Sequence, residues 1–270
     1  MPRMFAEDGY RRMKLKPWIE RIWPPALTVG GLLAIWEFAV RAGHISERVL
    51  AAPTQIVASM VDTRPDLMTA ASITTYEGVT GFSIAVIAGI LIGIGLYVSK
   101  TMYRAFYPLL AAAQTIPLIT VAPLFMIWFG FEPLGKIVIV AVFGVFPVAV
   151  QTARGLNAVP QFYEDVALTC GATRAWTLWH VKLRVAARQI FGGIRIAAAY
   201  VFGTAATAEY LGAMNGLGIW LQAAFNSFRT PLIFSATVVV IVETAILLGL
   251  ISLVERVALG HESDEDLDQS

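Results

Sequence analysis

The chain has 270 residues, of which 57% are hydrophobic and only 14% are charged, and its formal net charge is +1. A soluble domain holds about 45–50% apolar and about 25% charged residues, so this chain has too few polar side chains to cover a core of that size. The composition excludes a disordered chain, a collagen and a disulfide scaffold, and the near-zero charge gives no indication of nucleic-acid binding. We therefore expect an all-α polytopic membrane protein.

Six apolar stretches approach the length of a membrane-spanning helix, which needs about 20 residues. The predicted spans cover residues 26–40, 75–98, 107–129, 135–152, 190–211 and 232–254. The first span is short unless Trp23, Pro24 and Pro25 begin it at the membrane interface. Together the spans define a predicted transmembrane domain over residues 25–257.

Lys and Arg residues are concentrated on one side of these spans. The opposite side carries only Arg41, Arg48, Arg64, Lys136 and Arg229. Cytoplasmic loops are enriched in positive residues, so we expect the basic side, and with it both termini, to be cytoplasmic. The basic segment 1–24 is either an amphipathic helix on the inner leaflet or an ordinary positive flank. The acidic segment 258–270 is predicted to be a solvated cytoplasmic tail.

Glycine and proline residues mark two of the spans. Gly89 and Gly93 form a Gly-x3-Gly pair in span two, with Gly95 close by, and this pattern favours close helix packing over a gating hinge. Pro117 and Pro123 lie in span three. Each removes a backbone donor and is expected to kink the helix.

Residues 155–188 form the longest polar interval between spans, yet their composition is typical of helices. Apolar residues recur at helical spacing on both sides of Gly171. Pro160 suits a first helical turn, and Glu164 and Asp165 follow near the helix N-terminus, where negative charge is favoured. We predict a short amphipathic helix, a Gly-Ala corner and a second helix. Together they form a rigid cytoplasmic projection suited to a groove on a partner protein.

One set of positions in this segment keeps a characteristic order and spacing. The positions are Asp165, Val166, Ala167, Gly171, Val181, Leu183 and Arg184. They resemble the EAA loop of ABC-importer permeases, Glu-Ala-Ala-x3-Gly-x9-Ile-x-Leu-Pro, with Asp for Glu, Val for Ile and Arg for the final Pro. Further short matches resemble the nitrate/sulfonate/taurine-type branch of that family. They include Trp36-Glu37, Ile116-Pro117, Ala208-Glu209 and Gly216-Leu217-Gly218.

The resemblance implies a division of labour between several proteins. Two permease subunits, expected to be identical copies, form a pore in the bacterial cytoplasmic (inner) membrane, surrounded by lipid. A cytoplasmic ATPase dimer that holds ATP and Mg²⁺ binds the EAA loops, and an extracytoplasmic binding protein delivers the substrate. This chain lacks a Gly-x4-Gly-Lys-Ser/Thr phosphate loop, so we expect neither an enzyme nor a bound cofactor.

Coupling residues follow from the same resemblance. The predicted ATPase-coupling residues are Phe162, Asp165, Val166, Ala167, Gly171 and Ala172. Phe162 and Ala167 are expected to pack into the ATPase groove, and Gly171 and Ala172 to form the corner. Asp165 is expected to bind the ATPase, or alternatively only compensates the partial positive charge at the start of its helix.

Polar residues inside the spans are candidates for the substrate pathway, because ionisable groups in lipid are costly and face an interior or an aqueous cavity. The predicted pathway residues are Glu77, Gln114, Thr207, Glu209 and Glu243. Acidic groups disfavour an anion, so we predict a neutral or cationic solute such as a nitrogenous heterocycle or vitamin precursor. Two alternatives stay open. One is that the glutamates are protonated or paired with other helices, and the other is that the substrate is a sulfonate, taurine or nitrate anion.

Three other functions are compatible with a polytopic membrane protein. An intramembrane enzyme requires convergent catalytic or metal-binding motifs, but His-Glu-x-x-His and Gly-x-Ser-x-Gly are absent and the three histidines are scattered. An ion-coupled secondary transporter usually shows internal repeats, which this sequence lacks. A membrane scaffold leaves the spacing within residues 155–188 unexplained. The importer permease is therefore the favoured function.

Overall fold

The computed structural model describes residues 7–260, with side chains described from Trp23 onward. Within that part of the chain all regular structure is helical. The elements are α1 Glu7–Ala42, α2 Pro53–Asp62, α3 Arg64–Val98, α4 Lys100–Ala113, α5 Leu118–Phe129, α6 Pro133–Ala158, α7 Gln161–Thr169, α8 Arg174–Thr177, a π turn Leu178–Lys182, α9 Leu183–Gly212, α10 Leu217–Asn226 and α11 Thr230–Leu259. The amphipathic character of segment 1–24 and the acidic tail beyond Gly260 lie outside the described residues, so both stay predictions.

Five helical stretches are long and apolar enough to cross a membrane. They are Trp23–Ala42 within α1, then α3, α6, the stretch Arg174–Gly212 and α11. Helices α4 and α5 are bent by 103° at the break between them, so the pair is either a broken sixth span or a re-entrant loop. The all-α polytopic fold with about six spans is thereby confirmed.

The prediction of one merely kinked helix over residues 107–129 is wrong, because the chain leaves the helix between Ala113 and Leu118. Pro117 has an extended backbone, with φ −66° and ψ 122°. It lacks an amide proton, and a proline also disfavours the α conformation in the residue before it. Helix α5 therefore begins anew after Pro117. Pro123, by contrast, lies inside α5 without ending it.

The core of the bundle is formed mainly by α3, α6 and α9. Glycines on α3 let α6 approach closely. A Cβ atom on Gly89 would lie 2.6 Å from Cβ of Val148, and one on Gly93 would lie 2.5 Å from Cβ of Thr152. The Gly-x3-Gly pair therefore serves helix packing, as predicted, whereas Gly95 faces open space.

Helix α3 connects two different ends of the molecule. Its N-terminal part contacts the short helices α2 and α10, which also pack against α11. At its C-terminal end Tyr97 contacts Lys182 of the π turn, against which α7 packs. We call these the α10 end and the coupling end. At about 1.5 Å per residue, α3 separates them by about 50 Å.

Candidate substrate pathway and coupling surface

A cavity of about 610 Å³ lies beside the break between α4 and α5, where α6 and α9 complete its wall. Two of the predicted pathway residues, Gln114 and Thr207, line it. Gln114 reaches the cavity because helix α4 ends there, and Thr207 reaches it from α9. The helix break that the sequence signals through Pro117 therefore creates one wall of the cavity.

The cavity lining is neutral. None of the described side chains that line it is charged, and its polar groups are the Gln114 amide and the hydroxyls of Tyr200, Thr204 and Thr207. The Thr207 hydroxyl donates to the carbonyl oxygen of Gly203 at 2.7 Å, so its lone pairs stay free to accept. Mainly apolar walls with a few hydrogen-bonding groups are typical of sites for small organic molecules.

Aromatic rings contribute much of the apolar wall. Phe143 and Phe146 both line the cavity from α6, with ring centroids 6.3 Å apart in an edge-on arrangement. Such rings offer flat surfaces and edges against which a planar ligand packs favourably. The cavity therefore combines ring contacts with neutral donors and acceptors.

Glu77 lies away from this cavity, inside the helix bundle. It is fully buried on α3, and Nζ of Lys136 on α6 lies 2.8 Å from its Oε1 atom. Lys136 is itself only 3% exposed. A charge buried without its partner is strongly destabilising, so each of these side chains depends on the other. For Glu77 the structure therefore agrees with the alternative interpretation, in which the glutamate is paired with a residue of another helix.

Glu209 is also fully buried, and the turn after α9 holds it. Its carboxylate accepts hydrogen bonds from Thr74 Oγ1 and from the Gly218 amide, each at 2.7 Å, while the Leu217 amide donates to Thr74 Oγ1 at 2.9 Å. Gly216 has a φ of +112°, and a Cβ atom on Gly216 or Gly218 would collide with Glu209. The two glycines therefore let the backbone close over the acid.

Thr74 and Glu77 lie three residues apart on α3 and are both fully buried, so the contacts of Glu209 and those of Glu77 adjoin. Thr74, Glu77, Lys136, Glu209 and the turn 216–218 together form what we call the buried polar cluster, which joins α3, α6, α9 and α10. Sequence reasoning missed Thr74 and Lys136. A signal existed for Lys136, because it is the only basic residue within the predicted span 135–152.

Glu243 joins α11 to α3 rather than facing the cavity. Thr75 Oγ1 donates to its Oε1 atom at 2.8 Å, while its Oε2 atom is buried without a hydrogen-bond partner among the described residues. Of the five predicted pathway residues, the structure thus brings Gln114 and Thr207 together. It places the three glutamates at contacts between helices.

The coupling end presents an open apolar groove of about 820 Å³. Five of the six predicted coupling residues line it, namely Phe162, Val166, Ala167, Gly171 and Ala172. The Phe162 side chain is 70% exposed, although α7 lies outside the candidate membrane spans, where lipid would cover such a group. Exposed apolar surface of this kind marks a site for another molecule.

Helix α7 ends in a capping motif that fixes the corner. Gly171 has a φ of +86°, and its amide donates to the carbonyl of Leu168, while the Ala172 amide donates to that of Ala167, each at 3.0 Å. This is a Schellman motif, in which glycine supplies the left-handed residue. The Gly-Ala corner predicted from the sequence is therefore present and well defined.

Neighbouring acids on α7 have different surroundings. Asp165 is exposed and does not line the groove, but it directly precedes Val166, which does. Glu164, which the sequence reasoning treated only as a helix N-terminal charge, pairs with Lys182 of the π turn. Asp165 is thus the acid of α7 that a partner protein can reach directly.

Comparison with known proteins identifies the family. Residues 85–259 match the family model of the inner membrane component of binding-protein-dependent transport systems. The chain belongs to this family. The match includes the C-terminal part of α3 from Ala85 onward, the cavity helices α6 and α9 and the whole of the coupling end.

Relatives of this permease have different named substrates. The formylaminopyrimidine transport permease protein ThiX of Halalkalibacterium halodurans is 31% identical over 212 residues, covering 78% of this chain and 84% of that protein. The taurine transport system permease protein TauC of Escherichia coli is 32% identical over 178 residues, covering 66% and 65%. The resemblance to permeases of the taurine-type branch is thereby confirmed.

Solved structures confirm the fold. A chain of the MetNI methionine ABC transporter in an inward-facing conformation superposes with a TM-score of 0.64, covering 73% of this chain and 98% of that chain at 18% identity. By its family match and its relatives, the protein is a non-catalytic permease subunit of an ABC importer. Permeases of this family act with an ATPase, which hydrolyses ATP, and with a substrate-binding protein. An intramembrane enzyme and a secondary transporter are excluded by this family membership.

Proposed function

We propose that this permease carries a neutral nitrogenous heterocycle, such as a vitamin precursor, into the cytoplasm. The observation that carries the proposal is the cavity beside the α4–α5 break, whose described lining offers ring contacts, one amide and three hydroxyls but no charged side chain. Glu77 and Glu209, which the sequence reasoning placed on the pathway, do not enter the argument, because both are engaged in the buried polar cluster. The named substrate of the ThiX relative belongs to the same chemical class.

An anion importer is the second candidate, and the similarity to a taurine permease favours it. A sulfonate or nitrate crossing the membrane needs compensating positive charge, because an isolated anion is costly to remove from water. The two buried lysines of the described residues, Lys136 and Lys182, are already paired with Glu77 and Glu164. The cavity lining therefore supports the heterocycle over the anion.

The assembly follows the family scheme. We infer that two copies of this chain, expected to be identical, form the pore in the bacterial inner membrane with both termini cytoplasmic. An ATPase dimer, holding ATP and Mg²⁺, binds the groove of the coupling end through Phe162, Val166, Ala167, Gly171 and Ala172, with Asp165 at its rim. The substrate-binding protein docks at the α10 end, on the opposite side of the membrane.

A transport assay tests the substrate class. The permease is reconstituted in proteoliposomes with its partner ATPase and binding protein, and ATP-dependent uptake of a labelled aminopyrimidine, taurine and nitrate is compared. We expect uptake of the aminopyrimidine only. Uptake of taurine or nitrate without the aminopyrimidine contradicts the proposal and selects the anion importer.

A matched pair of variants tests the cavity itself. Thr207→Val removes a hydroxyl from the lining, whereas Thr237→Val removes one from α11, and both hydroxyls donate to the carbonyl four residues earlier. Losing one hydrogen bond to substrate should raise KM about threefold to tenfold for Thr207→Val. Thr237→Val should transport like the wild type. Equal KM values for the two variants would remove Thr207 from the pathway.

A further inference from the structure

Helix α7 carries much of the coupling groove but packs mainly against α8 and the π turn. Force applied to α7 by a partner must therefore reach the membrane spans through few contacts. A buried lysine lies at this junction. Lys182, the last residue of the π turn, is only 6% exposed.

Lys182 joins three elements at one atom. Its Nζ contacts the carboxylate of Glu164 on α7 and the hydroxyl of Tyr97 in the last turn of α3. It also lies 5.0 Å from the centroid of the Tyr97 ring. Glu164 remains partly accessible, with 27% of its side chain exposed. The lysine thus ties the coupling helix directly to the helix that runs through the core.

The π turn explains how a lysine comes to lie there. The Leu183 amide donates to the carbonyl of Leu178, five residues earlier, as in a π-helix. The buried residues Thr177 and Lys182 are separated by the same interval, and Ala186 then follows at the ordinary helical spacing of four. The widened turn therefore brings Lys182 onto the buried face that α9 continues into the membrane.

We propose that Lys182 is a positioning residue for energy coupling, holding α7 in register with α3 through Glu164 and Tyr97. The coupling part of the inference rests on the proposed ATPase contact, whereas the clamp itself does not. Lys182 does not line the groove, so its loss leaves the partner-binding surface in place. Without it, α7 moves independently of α3.

The only cysteine of the chain provides a direct probe of the clamp. Cys170 is exposed at the end of α7, so a nitroxide attached to it reports the mobility of the coupling helix by electron paramagnetic resonance. The labelled full-length permease is measured alone in lipid nanodiscs. Lys182→Met should convert much of the slow spectral component into a mobile one. An unchanged spectrum would overturn the clamp.

Milder variants keep the test decisive if Lys182→Met fails to insert. Glu164→Gln keeps the side-chain size but removes the charge, and Tyr97→Phe keeps the ring but removes the hydroxyl. Each should mobilise the label less than Lys182→Met. Lys100→Met, which removes an exposed lysine at the start of α4, is the matched control and should leave the spectrum unchanged. A spectrum that responds to Lys100→Met, or to neither mild variant, contradicts the assignment.

Transport measurements separate the clamp from the proposed function. In proteoliposomes with the ATPase and binding protein, Lys182→Met should retain ATPase binding while the substrate transported per ATP falls about tenfold, as for other residues that carry coupling energy. A mobile label with wild-type transport per ATP would reduce the clamp to a structural contact and overturn its role in coupling. If the wild type itself binds no ATPase, the proposed function fails, but the spectroscopic result on the clamp stands.

Discussion

Each end of the molecule contains a buried lysine paired with a glutamate, but the two pairs have different surroundings. Lys136 and Glu77 are both buried within the membrane bundle, beside Glu209 and its glycine turn. Lys182 is buried, but Glu164 is partly exposed, next to an open apolar groove. The first pair lies inside a cluster that joins four helices. The second is a single link between a projecting helix and the bundle, so the two ends should respond differently to mutation.

The largest expected effect is at the α10 end. Lys136→Met should leave the Glu77 carboxylate buried without its cation and destabilise the permease by about 3–5 kcal/mol. The measurement is thermal unfolding of the purified protein in detergent. Lys136→Met combined with Glu77→Gln should recover most of the loss, because both charges are then gone. No recovery of stability in the double variant would mean that side-chain packing, rather than the ion pair, accounts for the destabilisation.

The glycine turn over Glu209 should be almost as sensitive. A Cβ atom on Gly218 would meet the carbonyl of Ala206 and the side chain of Glu209, so Gly218→Ala should cost about 3 kcal/mol through overpacking. Thermal unfolding again measures this cost. Gly192→Ala is the matched control, because a Cβ atom there meets nothing within 4 Å. It should be neutral or stabilising by about 1 kcal/mol, as expected for alanine in a helix. Equal melting temperatures for the two variants would contradict the close approach at the turn.

At the coupling end ATPase binding should change more than overall stability, because the strain of an arginine at Gly171, with its φ of +86°, is confined to the corner outside the spans. Asp165→Lys with Gly171→Arg alters the rim and the corner of the groove while leaving the spans intact. Membrane insertion should be normal, while ATPase recovery in a pull-down should fall by about tenfold or more. Asp62→Lys, at the opposite end of the molecule, should recover the ATPase normally. Wild-type recovery with the double variant would show that this surface is not the docking site.

Much of this fold was predictable because it depends on local pattern. The span positions follow from apolar run lengths, the α3–α6 contact from Gly89 and Gly93, and the coupling corner from Gly171. The 103° bend was not predictable. Pro117 signals an interruption, but the direction in which α5 leaves depends on its packing against α6 and α9.

The candidate site was predictable in part, for a related reason. Thr74 and Glu209 are separated by 135 positions, and Glu164 and Lys182 meet across the corner at Gly171 and a π turn. Charge pairing across helices depends on tertiary geometry that residue spacing does not encode. For that reason sequence reasoning assigned Glu77 and Glu209 to the pathway. In the structure Glu77 is paired with Lys136, and Glu209 accepts hydrogen bonds from Thr74 and Gly218.

The interrupted stretch between Ala113 and Leu118 has a consequence for hydration. Non-helical backbone at membrane depth is tolerated only where protein or water satisfies its peptide groups. The Pro117 carbonyl accepts hydrogen bonds from Thr120, but the other carbonyl oxygens of this stretch have no partner among the described residues. Because the stretch borders the cavity, water must solvate them whenever the cavity is empty. A solute that enters displaces that water and must replace its hydrogen bonds to the carbonyl oxygens. The N–H groups of a heterocyclic ring donate such bonds, whereas an anion without a donor does not. Desolvation of these carbonyl groups would thus select among solutes by the hydrogen-bond donors that each solute offers.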